Sequence, residues 1–137
     1  MGSTQLLLLV LVLIIIGLAI VIAVNLYNEN AAAANLDRVT AFLLELGVRA
    51  QQYYRTPIWP GGGGHSFSGI TADAQGIELL TNIPNNEIGT FSVSVAGTAT
   101  QVTLLGIGIE DGDKDGSNCT ATCQVFPDSM QTTIVNR

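Results

Sequence analysis

Proline is absent from the first 56 residues of this chain, and no Lys or Arg precedes Arg38. Without proline, nothing in that stretch removes a helical hydrogen bond or forces a kink. Without basic residues, the N-terminus lacks the charged region with which a secretory signal begins. Bases are scarce throughout: five Lys and Arg stand against eleven Asp and Glu, for a net charge of −6. That balance excludes nucleic acid and an anionic membrane surface as partners. Histidine occurs once, at His65 beside a glycine run, where it reads as a surface residue. No Ser/His/Asp set assembles around it, so an enzyme is not expected. Cys119 and Cys123 are the only cysteines. No CxxCH is present, which argues against covalent haem, and two thiols without a neighbouring His make a poor zinc set.

What is abundant is apolar surface at one end. Leu6 to Val24 reads LLLLVLVLIIIGLAIVIAV, without a charge. It approaches the ~20 residues a helix needs to cross a bilayer, and it is too long for the h-region of a signal peptide. After Asn25 the pattern becomes amphipathic with no helix-breaking cluster at the change. Ala32, Leu36, Val39, Leu43, Leu46, Ala50 and Tyr53 recur at steps of four and three, which is one face of a helix. Asn35, Arg38, Glu45, Arg49 and Gln52 are read as the flanks, with Glu45 and Arg49 in the favourable i,i+4 order. Ala33 and Phe42 are left for neighbours. The spacing predicts one continuous helix of roughly 50 residues, about 75 Å long, ending before Pro57.

Beyond the helix the chain reads as a small head. Gly61 to Gly64 form a connector rather than a phosphate loop, since neither the flanking elements nor a Lys of such a loop is present. Tyr53, Tyr54, Trp59 and Phe67 are expected to form an aromatic lid between helix and head. Thr71 to Thr81 reads as a loop or helical turn. Alternation predicts strands over Ile88 to Val95, Thr98 to Ile109, Cys123 to Phe126 and Met130 to Val135. Phe91, Val93 and Val95 share one face of the first, and Val102, Leu104 and Gly106 one face of the second. A sheet of three or four strands buries too little by itself, so the amphipathic half of the helix is its expected cover. The fold class is therefore α+β, one long helix packed on a small antiparallel sheet. Residues 1–25 are the apolar half of the helix, 26–56 the amphipathic half, and 57–137 the β-rich head.

A long apolar helix that turns amphipathic, then a Gly/Pro loop, short strands and a late cysteine pair resembles the type IV pilins and pseudopilins. The resemblance covers the whole architecture, with its sequence detail in residues 1–55. It implies an inner-membrane pool before assembly, and then a homopolymeric filament at the cell surface. The apolar helices would pack on one another through Leu6, Leu9, Leu13, Ile16, Gly17, Ile20 and Val24. The alternatives are a pseudopilin of a secretion system and a monomeric membrane-anchored binding module. Members of the family usually carry Glu at the fifth mature position. Here that position is Gln5 if counting starts at Met1, or Leu7 if Met1-Gly2 is a leader remnant. The helix proline of many pilins is also missing, so a more continuous helix is expected.

Two local motifs remain. Asp111-Gly112-Asp113-Lys114-Asp115-Gly116 fits DxDxDG, whose alternate carboxylates converge on a hard cation such as Ca2+. Its twelfth position is Thr122 rather than Glu, so an EF-hand is not expected. A β-loop site of Asp111, Asp113 and Asp115, joined by Glu110 or Asn118, is set against a plain acidic turn. On an exported head, Cys119 and Cys123 are expected to form a disulfide, which requires CTATC to be a turn. In a straight strand residues four apart lie ~13 Å apart, beyond the ~7 Å that a disulfide spans. Asn118-Cys119-Thr120 matches the N-glycosylation acceptor. Ser92, Ser94, Thr98 and Thr100 could carry O-linked sugars or simply form an exposed strand face.

Overall fold

The computed structural model describes residues 2–137; Met1, and with it any reading of the first mature residue, lies outside the described residues. With no proline to interrupt it, α1 runs unbroken over Gly2–Arg55, 54 residues and about 80 Å. It stops where Pro57 denies the preceding backbone helical geometry. Thr56 N–H closes the last turn on Gln52 O at 2.9 Å. A five-residue helix, α2 (Ala74–Glu78), follows. Asp73 caps it, accepting from Gly76 N–H at 3.0 Å. Four strands complete the chain: β1 (Gly89–Val95), β2 (Val102–Gly108), β3 (Thr120–Val125) and β4 (Met130–Asn136). They pair in chain order as an antiparallel meander, β1-β2-β3-β4.

The seam on α1 meets one face of this sheet. Ala32, Leu36, Val39, Leu43, Leu46 and Ala50 are buried, and Tyr53 is half-buried. Opposite them lie Phe91 and Val93 of β1, Val102 and Leu104 of β2, and Ala121, Cys123 and Val125 of β3. Alternation does the sorting: β2 and β3 turn every second residue inward. Gly106 faces Phe91 in the register of β1 and β2. A Cβ there would press on Val39 and on the Phe91 ring, so the glycine lets helix and sheet approach. Phe67, Ile70, Ile77 and Leu80 close the core from the side. The segment Thr71 to Thr81 thus supplies Ile77 from α2 and Leu80 just beyond it to the core.

Several expectations are corrected. Asn35, assigned to a flank, is buried at the bottom of the core. Its Nδ2 donates to Ile88 O at 2.9 Å, and its Oδ1 accepts from Ile109 N–H at 2.9 Å and from the Cys119 thiol at 3.1 Å. The helix is thereby pinned to the entry of β1 and the exit of β2. Phe42, reserved for neighbours, packs on its own head, its ring centroid 4.4 Å from that of Phe91. Val95 is exposed because the register slips between Val93 and Val95. The aromatic lid forms without Trp59: Tyr54 stacks at 4.8 Å on the buried Phe67 and at 5.5 Å edge-on to His65. Trp59 stands in solvent.

Candidate assembly surface

Two surfaces stand apart from the packed head: the bare half of α1 and the acidic loop between β2 and β3.

From Leu6 to Val24 every large apolar side chain is exposed. None of that window is buried within the chain, and by length and composition the helix is one that can cross a membrane. Leu6, Leu9, Leu13, Ile16, Ile20 and Val24 all lie in this stretch, each about half exposed or more. A Cβ on Gly17 would meet nothing within 4 Å. The head begins to cover α1 only at Ala32. Between lie Asn25, Asn28, Glu29 and Asn30, all exposed, a polar collar broken by the exposed Leu26 and Tyr27. The side of α1 away from the sheet stays partly apolar above that collar. Ala34, Ala41, Leu44 and Val48 are exposed there at steps of seven, three and four.

The acidic loop hangs beside the collar. Asp111, Asp113 and Asp115 bring one carboxylate oxygen each to within 4.8 Å of one another. Backbone amides hold them in place. Asp111 accepts from Lys114 N–H at 2.7 Å and from Gly116 N–H at 2.8 Å, Asp113 from Asp115 N–H at 3.2 Å, and Asp115 from Ser117 N–H at 2.8 Å. Lys114 and Gly116 take positive φ to permit this. Burial in the loop pushes the Asp111 carboxyl up, but the amides of Gly116 and Lys114 outweigh it and leave it below its ordinary value. Asp113 moves the other way, raised by desolvation and by the neighbouring charge of Asp115. The Lys114 ammonium turns away from the carboxylates to Asn25 Oδ1 at 3.2 Å, tying the loop to α1. The three carboxylates are oxygen donors of the kind a hard cation takes. Thr122 sits in β3 opposite Leu105, away from the cluster.

The disulfide expected between Cys119 and Cys123 is absent; both are free, buried thiols. The reason is local. CTATC is not a turn but the start of β3, paired with β2 from Thr120 to Val125. Cys119 and Cys123 therefore point to the same face with Ala121 between them, at a strand's ~13 Å rather than a disulfide's ~7 Å. Burial pushes both thiols up, which keeps them protonated and unreactive. Asn118 is exposed, and its Nδ2, the atom a glycan would occupy, donates to Gly108 O at 3.0 Å. Ser94, Thr98 and Thr100 are exposed and Ser92 is half-buried.

Comparison with family models, with curated proteins and with solved structures gave no match for this chain.

Proposed function

We propose that this chain is the repeating subunit of a type IV pilus-like filament at the cell surface. The observation that carries the proposal is the continuity of α1. The same unbroken helix that the head covers along one face from Ala32 is bare on every side from Leu6 to Val24. Nineteen apolar residues left in water would cost on the order of 20–30 kcal/mol. That surface must therefore be covered, by lipid before assembly and by the helices of neighbouring copies after it. A plain anchor accounts for Leu6 to Val24 alone. The apolar positions above the collar, Ala34, Ala41, Leu44 and Val48, also find cover when helices run side by side. In this reading the sheet's outer face, rich in Ser and Thr, becomes the filament surface. The chain's chemistry is then assembly rather than catalysis.

A Lys in place of Leu13 or Ile15 tests the reading. It places a charge in the middle of the bare half without touching the head. In a filament subunit it abolishes fibres while the head still folds. Loss of membrane retention alone, in a chain that never forms fibres, identifies an anchored module instead.

The acidic loop is assigned a Ca2+ ion on the strength of its three converging carboxylates, with the Lys114 ammonium engaged at Asn25 instead. The ion would lock the loop against α1 at Asn25. A chelator is then expected to lower the melting midpoint of the wild-type head and leave that of Asp113→Asn unchanged. An unmoved wild-type midpoint removes the metal from the account.

A further inference from the structure

The head's most exposed aromatic is at its far end. Ile58 and Trp59 are 73% and 90% exposed, at the tip of a loop that is tied down behind them. Gly63 N–H donates to Tyr53 O at 2.8 Å, and His65 N–H to Tyr54 O at 2.7 Å. The loop is thus anchored on the last turn of α1 and carries its apolar tip clear of the head. An indole is a large apolar surface, and Trp59 spends almost none of it on its own chain. Four residues before Trp59, Arg55 keeps 63% of its side chain exposed, donating to Pro127 O at 3.2 Å and lying 3.6 Å from the exposed Asp128 carboxylate.

At the opposite end of the head, between α1 and β4, lies a groove of about 410 Å³. Ala33, Leu36 and Ile134 give it an apolar floor. Its rim carries the carboxylates of Glu29, Asp37 and Asp113, against one guanidinium, that of Arg137. The groove opens directly above the bare half of α1. Its volume falls within the roughly 300–1,000 Å³ of pockets that enclose large ligand groups, so an indole fits with room for a neighbouring side chain.

We propose that in the filament the Ile58–Trp59 tip of one copy seats in the α1/β4 groove of the next. The inference rests on the filament reading and deepens it by naming a contact. Three features converge on a second copy as the occupant. The tip, and Ala33 and Ile134 of the floor, are apolar and exposed. The exposed Arg55 near the tip meets a rim on which the carboxylates of Glu29 and Asp37 outnumber the one guanidinium even when Asp113 is engaged in the acidic loop. Tip and groove are also different patches of one molecule, so the contact is heterologous and propagates into an open polymer rather than closing as a dimer. Ala33 and Arg55 are 22 residues apart on α1, about 33 Å at ~1.5 Å per residue. With helices parallel, as the filament reading has them, copies joined this way are offset axially by about that distance or slightly more.

Trp59 is the only tryptophan, so the unmodified protein reports on the contact. Fluorescence is compared between the detergent-solubilised chain and sheared filaments. Seating of the tip shifts the emission to the blue and reduces acrylamide quenching several-fold in filaments. Pairing is then mapped with Ile58→Cys combined with Ala33→Cys, which keeps Trp59 and Pro60 unchanged. Oxidised filaments of the double variant give a ladder of cross-linked copies that neither single variant gives. Cys119 and Cys123, buried in the core, stay out of the reaction. Filaments in which Trp59 is quenched as readily as in detergent overturn the contact, mark the tip as outward-facing, and leave the filament reading standing. Protection of Trp59 without a cross-link overturns the groove as its seat. If the wild-type chain forms no filament at all, the filament reading falls and the contact with it.

Discussion

Replacing Asn35 with leucine should destabilise the head by roughly 3 kcal/mol. The side chain is 6% exposed and joins three partners: Ile88 O, Ile109 N–H and the Cys119 thiol. Leucine is nearly isosteric and more apolar, so burial alone would favour it. The deciding effect is what it leaves behind. Ile88 O and Ile109 N–H each lose a partner at a partly buried site, and an orphaned group of this kind costs about 1–3 kcal/mol. Two of them cost roughly 3 kcal/mol, a sizeable share of the ~5–15 kcal/mol that holds a domain together. At about 4–8 °C per kcal/mol for a domain of this size, the midpoint should fall by more than about 10 °C. The assay is a thermal melt of the full chain in detergent, followed by near-ultraviolet circular dichroism. Asn28→Leu, on the exposed collar, serves as the control and should stay within about 0.5 kcal/mol of wild type. An Asn35→Leu midpoint within about 2 °C of wild type would refute the view that Asn35 pins helix to sheet.

Gly108→Ala should be destabilising by about 1–3 kcal/mol, because the added methyl meets Asn35 Oδ1 and the Cys119 sulfur; an urea titration reads it directly. Asp73→Ala should loosen α2, and the effect depends on pH. The Thr71 hydroxyl first, and the Gly76 amide second, hold the Asp73 carboxyl below its ordinary 3.8. Its stabilisation is therefore complete above that pH and disappears as the pH falls through the lower folded value. The gap between wild type and variant should accordingly be open at neutral pH and close in acid. Both thiols should react with a thiol reagent only after unfolding, and a reductant should leave the melting midpoint unmoved. A midpoint lowered by reductant would restore the disulfide.

The rod was readable because its signals are redundant. Nineteen apolar residues, an absence of proline up to Pro57 and a seam of fours and threes all specify one helix, and the seam's residues are the ones the sheet buries. The strands were readable from alternation, within a few residues at each end. What escaped detection depended on pairing partners. Asn35 looks like a flank residue because a polar side chain at the edge of a seam is ordinarily solvated. Only the arrival of Ile88 and Ile109 from distant strands makes it a core residue. CTATC does alternate, with Cys119, Ala121 and Cys123 inward and Thr120 and Thr122 outward, but over so few and such small residues the pattern suits a turn as well as a strand. Pairing with β2 decides for the strand and so separates the cysteines. Trp59 was grouped with the lid on proximity in sequence, but the loop that anchors on Tyr53 and Tyr54 throws it outward. The bare half of α1 was legible as apolar surface needing cover.

The most direct measurement is cryo-electron microscopy of material sheared from cells that make this chain. Thin filaments whose core is a bundle of parallel helices about 80 Å long, with Leu6 to Val24 buried among neighbours, are the expected result. A chain found only in the membrane fraction, with no fibre and with α1 surrounded by lipid or detergent, would contradict the account.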